Sequence, residues 1–373
     1  MALSLGESVD ARVPWVRALH DLDAARSIRS PGPKLRALRH AGEALGDSLR
    51  HGPRVSAVRT LPQTTLLYPT AYAFNHTVPL PVPYVVMSHR CLLVQVRVTV
   101  AGQSVLKNVL FNPSDIQAAK ATPYFAQLLA KTGERFADAI TTRSDTLEAQ
   151  LARHGLGAED IDLIAFDHFH TQDLRSLLGC DVPNAAGELL RARFPNAYLL
   201  APRLEWEDWD DLHPMQRSWF IADGKRGVPL ERVVLTDGDV ALGEGCLLLQ
   251  TPGHTTGNQT LFCYGERGVF GCSENGTSAD NWSPYESRIP GLARYSRQFN
   301  VEVVLNSNTP ELAAEQYASM VLERSVVDRV PGAPAFVQMF PSSEVTPSAL
   351  APGIWPSMIF GERDSGHLQV RPR

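Results

Sequence analysis

Strand-like blocks alternate with helical ones through most of this chain, and that alternation restricts it to a layered α/β fold rather than an all-β barrel. Thr64 to Tyr68, Tyr84 to Met87 and the β-branched run Cys91 to Val100 read as extended segments. The last turns at Ala101-Gly102 into Ser104 to Phe111, a hairpin meander. Helical signals follow at Ser114 to Lys120 and at Thr122 to Lys131, where Thr122 is a candidate N-cap and Pro123 the first helical residue. A further helical run after Ser144 ends near Gly155. Ile161 to Phe166 then reads as a buried strand, and short strands recur at Val233 to Leu235, Cys246 to Gln250, Thr260 to Tyr264, Val269 to Cys272 and Val301 to Leu305. A helix from Pro310 to about Val327 closes the series.

Three segments follow from this pattern. Residues 1–60 read as a helical N-terminal extension, with Leu35, Leu38, Ala41, Leu45 and Leu49 on one face and Gly52-Pro53 as the stop. Residues 61–330 form the layered domain, and residues 331–373 a Pro-rich C-terminal tail packed on it.

With 373 residues, 44% of them hydrophobic and 20% charged, the chain can bury a sizeable core. A net charge of -5 gives no general basic field for nucleic acid or anionic lipid, and no run reaches the ~18 apolar residues of a membrane span. The five cysteines, Cys91, Cys180, Cys246, Cys263 and Cys272, include no CxxC pair, so neither a disulfide framework nor a zinc knuckle is indicated. The N-terminus lacks a basic region followed by an apolar one. The expectation is a cytoplasmic protein acting on a small-molecule substrate, without nucleic-acid or membrane partners, and with homo-oligomerisation left open.

The chemistry concentrates just beyond two of the strands. In extended backbone, residues i and i+2 point the same way, so in Asp167-His168-Phe169-His170-Thr171-Gln172-Asp173 the two histidines can converge while Phe169 turns into the core. In Gln250-Thr251-Pro252-Gly253-His254-Thr255-Thr256-Gly257-Asn258, Pro and Gly build a tight turn that projects His254 from a strand end. Each histidine taken alone also fits a capping or hydrogen-bonding role. No GxSxG elbow, P-loop or GxGxxG occurs, which disfavours nucleophilic-serine and nucleotide chemistry.

Strand-HxHxxD followed by strand-TPGHT resembles the metallo-β-lactamase superfamily of metal-dependent hydrolases. The flanks agree: Leu156 to Asp162, Phe194-Pro195-Asn196-Ala197 with Glu205 beyond, and Asp237-Gly238-Asp239-Val240 with Leu242-Gly243 are similar to the family's framework. The resemblance covers roughly residues 64 to 328. It implies a four-layer αβ/βα sandwich, two mixed sheets packed face to face under helices, with the site along one edge.

By position in that pattern, His168, His170 and His254 keep the first metal site. The second departs from HxHxDH, because Gln172 and Asp173 stand where Asp and His are expected. Either Cys272 or Glu274 falls near the bridging carboxylate. Glu274 is a hard anionic ligand; Cys272 would be a soft thiolate suited to zinc, or a core residue. The last ligand position falls in Leu305-Asn306-Ser307-Asn308, which holds no His.

Three ligands with an open fourth position form the geometry that brings the pKa of bound water to about 7. Asp173 is the candidate catalytic residue, orienting that water or accepting its proton, unless it caps the following helix. The plausible donors are the three imidazoles, Asp173 and Glu274, with Cys272 as the alternative to Glu274, enough for one firmly held zinc, or iron in its place, and at best a weakly held second metal. The expected activity is metal-dependent hydrolysis of an ester, lactone, thioester or amide. The alternatives are an iron-dependent oxygenase or oxidase on the same fold, or a degenerate non-catalytic binding module.

Overall fold

A computed structural model describes residues 2–133, 144–183 and 186–370. Two sheets stack face to face. One runs Leu5–Ser8, Arg17–Leu19, Asp239–Gly243, Cys246–Gln250, Gln259–Gly265, Gly268–Ser273 and Met339–Pro341 in spatial order. The other runs Ser365–Gly366, Ala57–Pro69, Tyr84–Val100, Gln103–Phe111, Leu163–Ala165, Tyr198–Pro202 and Val233–Thr236, with Ser343–Thr346 also pairing on Tyr84–Val100.

Several strands are apolar on both faces, the pattern of strands covered from both sides. In Cys246–Gln250, Cys246 and Leu248 point between the sheets, towards Leu92, Val94, Phe111 and Leu163 of the facing sheet. Leu247 and Leu249 point the other way, under the helices Pro31–Arg50 and Ala313–Val326. A third apolar layer lies beyond the second sheet, where Leu93, Leu110 and Ile164 meet Leu147, Leu151, Leu177 and Leu178. These three apolar layers define the four-layer αβ/βα sandwich that the sequence implies. Close packing of the two outer helices depends on Gly46, since a Cβ there would lie 2.3 Å from the Val326 carbonyl oxygen.

The N-terminal region is more than a helical extension. Its helix, Pro31–Arg50, follows two short strands that extend the first sheet: Leu5–Ser8 pairs with Arg17–Leu19, which pairs with Asp239–Gly243. Ala57–Pro69 crosses the expected boundary at residue 60. The C-terminal segment likewise enters both sheets, with Met339–Pro341 lying parallel to Gly268–Ser273 before the chain crosses at Ser342 to pair with Tyr84–Val100.

Tyr84–Val100 is one continuous strand, and of Ser114 to Lys120 only the end is helical, in a 3-10 turn at Ala118–Ala121. Val301 to Leu305 forms no strand. Its backbone is satisfied by loops instead, Val304 N donating to Asn281 O and Asn306 N to Asn275 O. Among the described residues, no helix is long and apolar enough to cross a membrane.

Candidate metal centre

The loops following Leu163–Ala165, Cys246–Gln250, Gly268–Ser273 and Met339–Pro341 leave the strands at one rim of the sandwich. There Gln259 N donates to Asp167 O at 2.8 Å and ties the two sheets together. The chain beyond Ala165 carries His168 and His170 to the same side, while Phe169 is buried in the outer core. The turn that presents His254 is closed by Thr251 N on Asn258 O, 2.8 Å, and by Gly253 N on Thr255 O, 2.9 Å. Gly253 is required at its position. Its φ is 149°, and a Cβ would lie 2.2 Å from Gln316 Cα.

These loops bring His168, His170 and His254 together. All three are buried, and their ligand nitrogens lie within 4.8 Å of one another. Ring centroids are 4.5 Å apart for His168 and His170, 4.4 Å for His168 and His254, and 4.8 Å for His170 and His254.

Each of the first two rings is fixed from behind. Asp167 Oδ1 lies 2.8 Å from His168 Nδ1, so the proton sits on that nitrogen and Nε2 keeps its lone pair. Gln216 Oε1, 2.5 Å from His170 Nε2, does the same for the second ring and leaves Nδ1 bare. That Nδ1 faces His254 Nε2 at 3.1 Å. Two imidazole nitrogens so placed share a proton or converge on a cation. Tetrahedral zinc with nitrogen ligands at about 2.0–2.1 Å separates them by about 3.4 Å, so the spacing fits such an ion.

Electrostatics favour the ligand forms. Burial, reinforced by the neighbouring His168, holds His170 well below the ordinary imidazole pKa; His254 is held down by burial and by both other rings. Both are therefore neutral at pH 7. Burial alone would raise Asp167, but His168 beside it and hydrogen bonds from His168, Ser342 and Asn112 outweigh that and keep it ionised.

Glu205, at 2% exposure, braces the centre. Its Oε1 accepts the Phe169 N–H at 2.8 Å, between the two histidines of the first loop, and its Oε2 accepts Thr255 Oγ1 at 2.6 Å and Gly257 N at 3.2 Å in the second. One buried carboxylate thus holds both ligand-bearing loops.

The remaining expected site residues separate. Glu274 lines the same cleft as the histidines, accepts the Ser343 N–H at 2.9 Å, and is pushed well above the carboxylate range by burial and then by Asp167. It does not belong to the histidine cluster. Cys272 points between the sheets among Leu261 and Phe340, with its Sγ 3.4 Å from Ser342 Oγ; its thiol is buried core rather than a ligand.

Asp173, the candidate catalytic residue, lies outside the histidine cluster and the cleft lining. Both carboxylate oxygens engage Arg175, at 2.9 Å to Nε and 2.5 Å to Nη2, and Oδ1 also takes the Arg175 N–H. The cause is the left-handed turn at Thr171, φ 64°, which breaks the extended alternation beyond His170 and brings Gln172 to the cleft instead. His89 and Asn112 are further cleft residues that the sequence did not single out, and Gln216 is a further partner of the cluster. Asp167, adjacent to His168, is the one for which a sequence signal existed.

No family model matches this chain, and no curated protein matches it. Solved structures that resemble it include a probable metal-dependent hydrolase from Staphylococcus aureus, 13% identical, covering 73% of this chain and 83% of that one with a TM-score of 0.47. A quorum-quenching N-acyl homoserine lactone lactonase is 16% identical, covering 67% and 90%, TM-score 0.41. A dizinc quorum-quenching lactonase with bound product is 16% identical, covering 65% and 82%, TM-score 0.40. Likenesses this remote leave the chemistry to the geometry of the site itself.

Proposed function

We propose that this chain is a metal-dependent hydrolase that opens an ester, lactone, thioester or amide. The observation that carries the reading is the convergence of three buried imidazoles, two of them neutral and facing each other at 3.1 Å, each of the first two held in one tautomer by a partner behind it. His168 Nε2, His170 Nδ1 and His254 Nε2 would hold the ion, zinc being the metal that suits three imidazoles. A zinc ion bound there would supply Lewis acidity towards a carbonyl and lower the pKa of a water to about 7.

The protein's own part is orientation and proton handling. Asp167 keeps the His168 ring turned with Nε2 forward, and Gln216 keeps His170 turned with Nδ1 forward. Glu274, on the cleft and biased towards its protonated form, is the carboxyl group placed to carry a proton, while Asp173 is engaged by Arg175.

Elemental analysis of purified protein, with hydrolysis of p-nitrophenyl esters and simple lactones before and after chelation, tests this reading. One zinc per chain is expected, with activity lost on chelation, restored by zinc, and absent with the metal in His168→Ala and His254→Ala. Full metal retention in both variants, or hydrolysis indifferent to chelation, ends the proposal. Bound iron with oxygen uptake and no hydrolysis would replace it with an oxidase, and substoichiometric metal without turnover with a binding module.

A further inference from the structure

Gln216 touches three groups at the edge of the histidine cluster, and two of them decide which way its amide faces. Its Nε2 lies 2.6 Å from Glu311 Oε1 and 3.2 Å from the His254 carbonyl oxygen. A carboxylate and a carbonyl only accept, so the NH2 points at them and the amide oxygen at His170. Turned over, the amide would set its oxygen against two other oxygens. The proton on His170 Nε2 therefore follows from these two acceptors, and Nδ1 is the nitrogen left bare.

The two acceptors are unequal. The contact to His254 O is long, and Thr309 Oγ1 already donates to the same carbonyl at 2.7 Å. The contact to Glu311 is short and charge-assisted, roughly twice as strong as a neutral hydrogen bond. Glu311 Oε2 is buried without a partner among the described residues, so the hydrogen bonding of this carboxylate is directed at Gln216.

We propose that Glu311 is a positioning residue for the metal centre: through the Gln216 amide it keeps the His170 proton on Nε2 and so presents Nδ1 to the ion. His168 has a carboxylate in direct contact, Asp167. His170 has one at a remove, and the amide between them passes on both orientation and polarisation. The inference rests on the hydrolase reading for the ion, while the tautomer stands on the hydrogen bonds alone.

Two-bond 1H–15N correlation spectra of metal-free protein labelled at histidine locate the proton without any turnover. His170 is expected to show a protonated Nε2 and a bare Nδ1 in the wild type, and the same in Glu311→Gln, which keeps an acceptor oxygen. Glu311 is only half-buried, so larger changes are accommodated there. Glu311→Leu should give a mixture of tautomers, and Glu311→Lys, which sets a donor against the amide, should turn it over and move the proton to Nδ1. Zinc affinity, measured against a chromophoric chelator, should fall about 10–100-fold in the Leu and Lys variants and stay within about threefold in the Gln variant. A wild-type ring bare at Nε2 overturns the proposal. So do wild-type spectra and zinc affinity in the Leu and Lys variants, the result expected if the His254 carbonyl alone holds the amide. Hydrolysis of p-nitrophenyl esters is assayed separately. The expected spectra in a protein without zinc-dependent hydrolysis refute the hydrolase reading only, and zinc-dependent hydrolysis with unaltered spectra in both variants refutes only the role of Glu311.

Discussion

Glu205 Oε2 accepts the Thr255 hydroxyl at 2.6 Å while its other oxygen holds the backbone of Phe169, so a carboxylate outside the histidine cluster sets the distance between the two ligand loops. Every group it meets is a donor. Glu205→Gln places an amide NH2 against one of them, leaving a buried donor facing a donor. The expected cost is about 1–3 kcal/mol in urea unfolding, together with a lower metal content after dialysis. Unchanged metal content would show that the loops hold their spacing without it.

The two aspartates flanking the HxH loop are expected to behave oppositely. Asp167→Asn weakens the hold on His168 Nδ1 and should reduce zinc affinity about 10–100-fold in competition with a chromophoric chelator. Asp173→Ala loses only the contacts to Arg175 and should leave zinc affinity and turnover near wild type. A collapse of turnover in the second variant would restore Asp173 to the chemistry.

Stability should fall on mild acidification through His89. Burial lowers its pKa from the ordinary 6.5 to about 4, so the folded protein keeps this ring neutral where the unfolded chain protonates it. Unfolding therefore takes up a proton between those values, and stability is lost as pH falls from 6.5 towards 4. Urea midpoints at pH 7 and pH 5 check this. The decline should be shallower in His89→Gln, and identical declines in both proteins would remove His89 from the account.

Gly253→Ala should be severe, because the new methyl overlaps Gln316 Cα and the φ of 149° is hostile to any L side chain. A loss of at least about 2 kcal/mol is expected, seen as a lowered thermal midpoint or as insoluble expression. Gly238→Ala, where a Cβ meets nothing, is the control.

The parts of the site that sequence could reveal are those set by local chemistry. Pro252, Gly253 and the two flanking strands announce the His254 turn, and alternation beyond Ile161 to Phe166 pairs His168 with His170. Strands buried on both faces were likewise readable as apolar runs. What escaped depends on distant contacts. Gln216 lies in an irregular stretch and is fixed by its bonds to His170, His254 O and Glu311. Asp173 is adjacent to the motif, but the turn at Thr171 and the guanidinium two residues on decide its direction. Val301 to Leu305 is apolar enough for a strand, yet its Val301 and Val304 amides are claimed by the Ser296 and Asn281 carbonyls rather than by a sheet. The N-terminal strands Leu5–Ser8 and Arg17–Leu19 are too short to carry a period of their own.

Ser342 sits where the C-terminal segment passes from one sheet to the other, and its hydroxyl lies 2.5 Å from Asp167 Oδ2. During synthesis, then, the imidazole loops leave the ribosome long before the residue that steadies the carboxylate behind them. A chain halted ahead of residue 342 would carry every histidine of the cluster and still lack the hydroxyl that steadies Asp167.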